Sequence, residues 1–259
     1  LDARLSRTFE MHAWTKDGTP TEHPEPWGLP GVFSTLRRFA HGHLPFRDDY
    51  LDRLLDSANR IEMNWLPQRD ELSDRLDEFL ASQPSDLDGL IRICLFDDRL
   101  GISSRPALSD GNPVEGWLLE YRRPDPLAKC TGESQLYGRL SELDLDTEDW
   151  VLIDPKDKDL RESATSNLIF AQGNELLIPE KFILQGIILK KLLPFLESEF
   201  SVTRGTPLEQ DVRDFDEIIL CGTGRGVAPL TSLSELGWTS QDNQVFQKTR
   251  SRYDELVHP

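Results

Sequence analysis

Little in this chain of 259 residues could carry a disulfide framework, a metal cluster or a membrane span. It has three cysteines, Cys94, Cys130 and Cys221, with no CxxC pair among them, so neither a disulfide framework nor a structural zinc site is indicated. Cys94 and Cys221 stand in apolar runs, where a free thiol behaves as a small hydrophobe. The five histidines are scattered, and His41 and His43 flank Gly42 in what reads as a loop; no metal site is expected. No apolar run reaches the ~18 residues that could cross a bilayer, and no cleavable signal peptide is recognised. The chain opens on Leu1 rather than Met, and reduced cytoplasm is the expected setting. Basic charge is scarce too, with 29 Lys and Arg against 46 Asp and Glu, for a net charge of −17. Such a field repels phosphate backbones and anionic membrane surfaces, so neither nucleic acid nor membrane is an expected partner. An anionic ligand would need a local positive pocket.

What is present reads as a globular protein, 37% apolar and 29% charged, long enough to bury a substantial core. The first thirty residues are polar, with Pro20, Pro24, Pro26 and Pro30. Strands are predicted over Thr8–Trp14, Gly31–Arg38, Leu90–Phe96, Gly116–Tyr121, Trp150–Ile153 and Glu217–Cys221. A hairpin is expected over Leu168–Ile178, turning at Gly173-Asn174. Apolar positions at helical spacing (Tyr50, Leu51, Leu54, Leu55, Ala58, Ile61) predict a helix from Arg47 to Ile61. Further helices are predicted over Glu71–Ala81, Ser134–Leu143 and Ile187–Leu196, with a charged surface helix over Gln241–Leu256. Arg122-Arg123-Pro124-Asp125-Pro126 reads as a stiff joint, dividing a smaller domain (1–123) from a larger one (124–259). Strands and helices mix without βαβ alternation, which favours an α+β class.

Three stretches could carry chemistry. Gly222-Thr223-Gly224-Arg225-Gly226 follows an apolar strand, and a glycine-rich turn there lets backbone N–H groups approach a phosphate. It matches neither a full GxGxxG fingerprint nor a Walker sequence, so an ordinary strand-to-helix turn stays open. Glu162-Ser163-Ala164-Thr165-Ser166-Asn167 reads first as a cap or turn. Arg53, alone on its helix, reads first as solvated surface.

Taken in order, these stretches resemble the fold-type IV pyridoxal-phosphate enzymes, the class-IV aminotransferase family of branched-chain and D-amino-acid aminotransferases and aminodeoxychorismate lyase. Gly31-Val32-Phe33-Ser34-Thr35-Leu36-Arg37 matches the opening strand, and Tyr50-Leu51-Asp52-Arg53-Leu54 the helix with its arginine. Glu162 and Asn167 match a Glu-x-x-x-x-Asn stretch without a gap. Pro179 with Leu184-Gln185-Gly186-Ile187, then Gly222-Thr223 with Pro229, complete the series. The resemblance runs from about residue 31 to about residue 230.

It implies two α+β domains with pyridoxal 5'-phosphate in the cleft between them, and a homodimer. It also implies that Lys129, at the family's separation upstream of Glu162, forms the Schiff base and moves the α-proton. Glu162 faces the pyridine nitrogen and keeps it protonated. Arg53 supplies charge to the phosphate, while Asn167, Gly186, Ile187, Ile188, Gly222 and Thr223 complete the cofactor site through N–H and hydroxyl groups. Thr35, Arg92, Arg99, Gly224 and Arg225 are the substrate-binding candidates.

The pattern is departed from at named places. Ser34 replaces a glutamate, and the lyase branch tends to carry a hydroxyl there. Glu133 and Ser134 stand where an aromatic or arginine is usual after the lysine, Leu189 replaces an arginine and Tyr50 a histidine. A carboxylate at 133 near an anionic cofactor is unfavourable unless it points away or pairs with a cation. The leading expectation is an aminotransferase working between an amino acid and a 2-oxo acid. The alternatives are a lyase that releases pyruvate from aminodeoxychorismate and a non-catalytic scaffold.

Overall fold

The computed structural model describes residues 10–22, 28–107 and 110–258, whose contacts separate into two compact units. The first runs through Ala107 and takes in Ala128–Gly132, and the second holds the rest. Residues 8 and 9 of the first expected strand, and Pro24 and Pro26, lie outside the described residues.

Among its described residues, the first unit is an antiparallel sheet with two α-helices. Its strands are β1 (Met11–Thr15), β2 (Pro20–Thr21), β3 (Gly31–Arg38), β4 (Gly89–Phe96) and β5 (Arg99–Pro106), in the order β2-β1-β5-β4-β3. Alternation along β3 sends Ser34 and Leu36 to one face and Phe33 and Thr35 to the other. Helix α1 (Arg47–Arg60) buries Tyr50, Leu51, Leu54, Ser57 and Ala58, a stripe at helical period. Asp48 and Asp49 in its first turn and Arg60 in its last complement the helix dipole. Helix α2 (Arg69–Ser82) follows. Both lie on the Ser34 face: Arg53 of α1 donates to Ser34, and Phe79 of α2 meets His12 edge to face. Strand β5 has no counterpart among the sequence expectations, because Gly101, Ser103 and Ser104 interrupt its apolar alternation.

Residues 128–132 return to the outer edge of β3. The Phe33 N–H donates to the Lys129 carbonyl and the Thr131 N–H to the Gly31 carbonyl, both at 2.9 Å, and Cys130 bridges Val32. The divide expected at 123/124 is therefore corrected. Backbone pairing carries Lys129 into the first unit.

The second unit is built on one mixed sheet. Its strands are β6 (Val114–Glu120), β7 (Glu148–Ile153), β8 (Leu160–Ser163), β9 (Asn167–Gln172), β10 (Glu175–Ile178), β11 (Ser201–Arg204), β12 (Glu217–Gly222), β13 (Gly226–Leu233) and β14 (Trp238–Thr239). The path runs β11-β10-β9-β12-β13-β6-β7-β8, with β14 on β13. Because β8 also pairs with β9, six of these strands close on themselves. The register pair that closes them is Glu162 opposite Asn167. Val151, Leu168, Phe170, Leu220 and Leu230 belong to one buried cluster. Strand β12 is buried at every position, as suits a central strand read as a nearly continuous apolar run.

The α-helices among the described residues of this unit are α3 (Ser134–Tyr137), α4 (Ile187–Glu199) and α5 (Gln244–Val257). The helix expected over Ser134–Leu143 narrows to the single turn of α3 and then a 3₁₀ turn over Gly138–Glu142, as a glycine of low helix propensity at the junction favours. The charged tail helix turns out to bury Val245, Thr249, Tyr253 and Val257. The Glu217 carboxylate receives the Val245 and Phe246 N–H groups at the head of α5, each at 2.8 Å. The turn at 223–225 joins antiparallel β12 and β13. It is a hairpin turn, which corrects the strand-to-helix reading.

Candidate active site

In the second unit, several of the residues singled out from sequence meet at the closing point of the sheet. Asn167 opens β9 opposite Glu162. Its side-chain nitrogen donates to the Leu184 carbonyl at 2.8 Å, and its oxygen accepts the Gly186 N–H at 3.0 Å. Gly186 is the N-cap of α4, whose first turn begins with Ile187 and Ile188 and holds no acidic residue. A Cβ there would sit 2.0 Å from Asn167 Oδ1 and would displace the amide. Cys221 pairs with Asn167 across β12 and β9, which brings Gly222 alongside. A Cβ on Gly222 would lie 2.4 Å from Ser166 Oγ. Thus Glu162, Asn167, Gly186 and Gly222 are neighbours, and Thr223 follows directly in the hairpin turn.

Glu162 does not stand alone. Its Oε1 forms an ion pair with Arg123 Nε at 2.9 Å, and Oε2 accepts a long bond from the Leu184 N–H at 3.4 Å. Arg123 Nη1 donates to Glu133 Oε1 at 2.9 Å and to the Tyr137 hydroxyl at 3.1 Å. The Tyr121 hydroxyl donates to Glu133 Oε2 at 3.2 Å. All three charged groups are buried. Burial by itself pulls the Arg123 guanidinium down, but Glu162, followed by Tyr137 and Glu133, outweighs it and holds the guanidinium well above its ordinary value. Burial, and then Glu133, pushes the Tyr121 phenol up; Tyr137 is also raised, chiefly by burial. Both phenols therefore remain neutral. The sequence reading took Arg123 for part of a joint; its neighbours Pro124 and Pro126 hide a side chain that the fold turns inward. A cavity of about 290 Å³ lies beside this group, lined by Tyr121, Arg122, Arg161, Glu162 and Phe182 among others.

The first unit holds the remaining candidates. Arg53 Nη2 donates to Ser34 Oγ at 2.9 Å, and its guanidinium lies 5.2 Å from the centre of the Tyr50 ring. The Lys129 N–H donates to Ser57 Oγ on α1 at 3.3 Å. The Lys129 Nζ lies 4.8 Å from the centre of the Phe33 ring, and the Arg92 guanidinium lies 5.4 Å from the same ring. Thr35 faces Arg92 across β3 and β4. Lys129, Thr35 and Arg92 are therefore gathered on the Phe33 face, opposite the helices.

Two candidates are placed elsewhere. Arg99 lies at the start of β5 opposite Thr15 and forks onto its neighbour Asp98 at 2.7 Å, well along the strand from Ser103, the partner of Arg92. Arg225, next to Gly224 in the hairpin turn, is 1% exposed. It lies 3.6 Å from the equally buried Asp149 and donates to the Glu148 carbonyl at 2.5 Å. The structure thus turns the Arg225 side chain inward against Asp149, in a different unit from Thr35 and Arg92. Asp149 in turn accepts from Ser163 and Thr165 at 2.8 and 2.5 Å. It is pushed up by burial, against the pull of Arg225 and these hydroxyls. The pair ties the 163–166 turn to the 223–225 turn, a link no local pattern could have announced. Among the described residues no cluster of His, Cys, Asp and Glu could hold a metal ion, and no helix is long and apolar enough to cross a membrane.

This fold is that of known aminotransferase structures. The branched-chain aminotransferase of Thermoproteus uzoniensis with norvaline superposes with a TM-score of 0.80 at 20% identity, over 95% of this chain and 94% of that one. A hypothetical aminotransferase from Mycobacterium tuberculosis in its PLP-bound form gives 0.75 at 17% identity, over 96% and 99%. A Legionella pneumophila protein assigned as a 4-amino-4-deoxychorismate lyase gives 0.74 at 17% identity, over 87% and 91%. No curated protein matches by sequence. The family model described as amino-transferase class IV matches residues 31–233. The chain belongs to the class-IV aminotransferase family.

Proposed function

We propose that the protein binds pyridoxal phosphate and transfers an amino group between an amino acid and a 2-oxo acid. The observation that carries this reading is the meeting of Glu162, Asn167 and Gly186 at the closing pair of the second sheet. The residues fit the cofactor chemically. Gly186 presents a helix start with no side chain over its N–H groups, suited to a phosphate. Gly222 leaves its turn free of a Cβ, Arg53 adds a guanidinium, and Glu162 is a carboxylate for the ring nitrogen. When bound, the cofactor would supply an electron sink for bond breaking at the α-carbon. Lys129 would hold it covalently and take up and return the α-proton at Nζ. Thr35 and Arg92 would orient the substrate carboxylate. Glu133 gives no support to the scaffold alternative, since it pairs with Arg123 and leaves no bare carboxylate. A homodimer and a cytoplasmic setting are part of this reading, on the resemblance alone.

A second reading, a lyase acting on aminodeoxychorismate, is favoured by Ser34. Its hydroxyl stands in the opening strand and receives Arg53. The test is direct. Purified protein should carry a visible absorbance band that borohydride removes and that Lys129→Ala lacks. A protein that stays colourless with added pyridoxal phosphate would refute both readings. Half-reactions with single amino acids then separate them. Conversion of the bound cofactor to its amine form marks transamination, and pyruvate release from aminodeoxychorismate without that conversion marks the lyase.

A further inference from the structure

The Arg123 ion pair raises a difficulty for Glu162 that the structure also resolves. A carboxylate keeps a pyridine nitrogen protonated by its negative charge. A guanidinium 2.9 Å away offsets part of that effect, because a buried pair of opposite sign acts as a dipole and its field falls off faster than that of a lone charge. Glu162 and Arg123 alone would present a neutral group. Glu133, on the other side of the same guanidinium at 2.9 Å, adds a second negative charge. The buried trio then carries one net negative charge, as a lone glutamate would.

We propose that Glu133 and Arg123 are positioning residues for Glu162: Arg123 fixes the carboxylate in place, and Glu133 restores the negative charge that Arg123 would otherwise remove. This deepens the pyridoxal-phosphate reading and rests on it. The surrounding groups suit the role. The Tyr137 hydroxyl accepts from Arg123 and the Tyr121 hydroxyl donates to Glu133, both as neutral phenols, and the Leu184 N–H is a further donor to Glu162. The nearby cations are occupied elsewhere, Arg122 by Asp154 and Asp157 and Arg161 by Asp154, Asp157 and Asp159. With these cations paired outside it, the trio keeps its single net negative charge. The acid at position 133, the sharpest departure from the family pattern, becomes the partner that makes a buried arginine tolerable.

The test is the ring-nitrogen resonance of bound pyridoxal phosphate labelled with ¹⁵N at that atom, recorded on the holoprotein. Wild type should show a protonated nitrogen. Glu133→Gln keeps the shape and removes one negative charge, so the resonance should move toward the unprotonated position. The double variant Arg123→Met with Glu133→Gln removes one charge of each sign, and its resonance should return to the protonated position. A purely structural role for Glu133 predicts no such return. An unmoved resonance in Glu133→Gln, or an unprotonated one in the double variant, overturns the proposal while leaving pyridoxal-phosphate binding intact. Should Glu133→Gln fail to fold, the double variant still decides by the state of its nitrogen. The absence of any bound resonance in wild type overturns this proposal and the proposed function together.

Discussion

The side-chain amide of Asn167 holds Gly186 by its N–H at 3.0 Å while donating to the Leu184 carbonyl at 2.8 Å. One side chain thereby sets the start of α4 against the start of β9. Asn167→Ala removes both bonds, each worth about 1 kcal/mol. The expected outcome is a loss of about 2 kcal/mol in denaturant unfolding and about tenfold weaker pyridoxal-phosphate binding by absorbance titration. Unchanged binding would show that this contact does not set the helix start.

Gly186→Ala approaches the same contact from the other side. Its Cβ would meet Asn167 Oδ1 at 2.0 Å, so the amide must swing away and lose its bonds. Overpacking of this kind costs about 1–3 kcal/mol. In the Asn167→Ala background the clash is gone, so the two substitutions should be clearly less than additive in a double-mutant cycle. Simple additivity would argue against the contact.

Arg225 and Asp149 form a buried pair in the second unit. Replacing Arg225 with Met leaves an uncompensated buried carboxylate, which costs about 3–5 kcal/mol. Thermal or urea unfolding should show that loss. Wherever the variant stays folded, KM for the amino acid should match wild type. A raised KM with unchanged stability would restore Arg225 to the substrate site.

Asp154 has the opposite character. The Arg122 guanidinium, bonded to it at 2.6 Å, holds its carboxyl well below the usual carboxylate range. A carboxyl depressed in the folded state stabilises fully above its unfolded value of about 3.9 and less as pH falls below it. The melting temperature of wild type should therefore drop below about pH 4, with a smaller drop in Asp154→Asn. Equal slopes would mean that this network adds nothing to acid stability.

Much of the candidate site was legible in the sequence. The helix with Arg53, the Glu162 and Asn167 spacing, Gly186 before a helix and Gly222 after a buried strand are all short patterns. Each is held by neighbours a few places apart, so chain order preserves it. The same locality explains what was missed. Arg123 read as a linker because its proline neighbours are local, whereas its carboxylate partners Glu133 and Glu162 belong to separate segments. Lys129 was placed in the wrong unit because its backbone partner, Phe33, lies far back in the chain. Arg225 read as a free cation in a glycine turn until Asp149 met it from β7.

The sequence by itself determined the α+β class and, through the resemblance its short motifs carry, the family and a set of candidate groups. Only the tertiary structure decided how those groups are charged and supported. It closed the second sheet on Glu162 and Asn167, buried Arg225 against Asp149, and enclosed Glu162 in a trio with Arg123 and Glu133. A net charge of −17 says nothing of such a place. Whether a carboxylate acts as an anion there depends on the charges within a few ångströms, and long-range strand pairing brings those together.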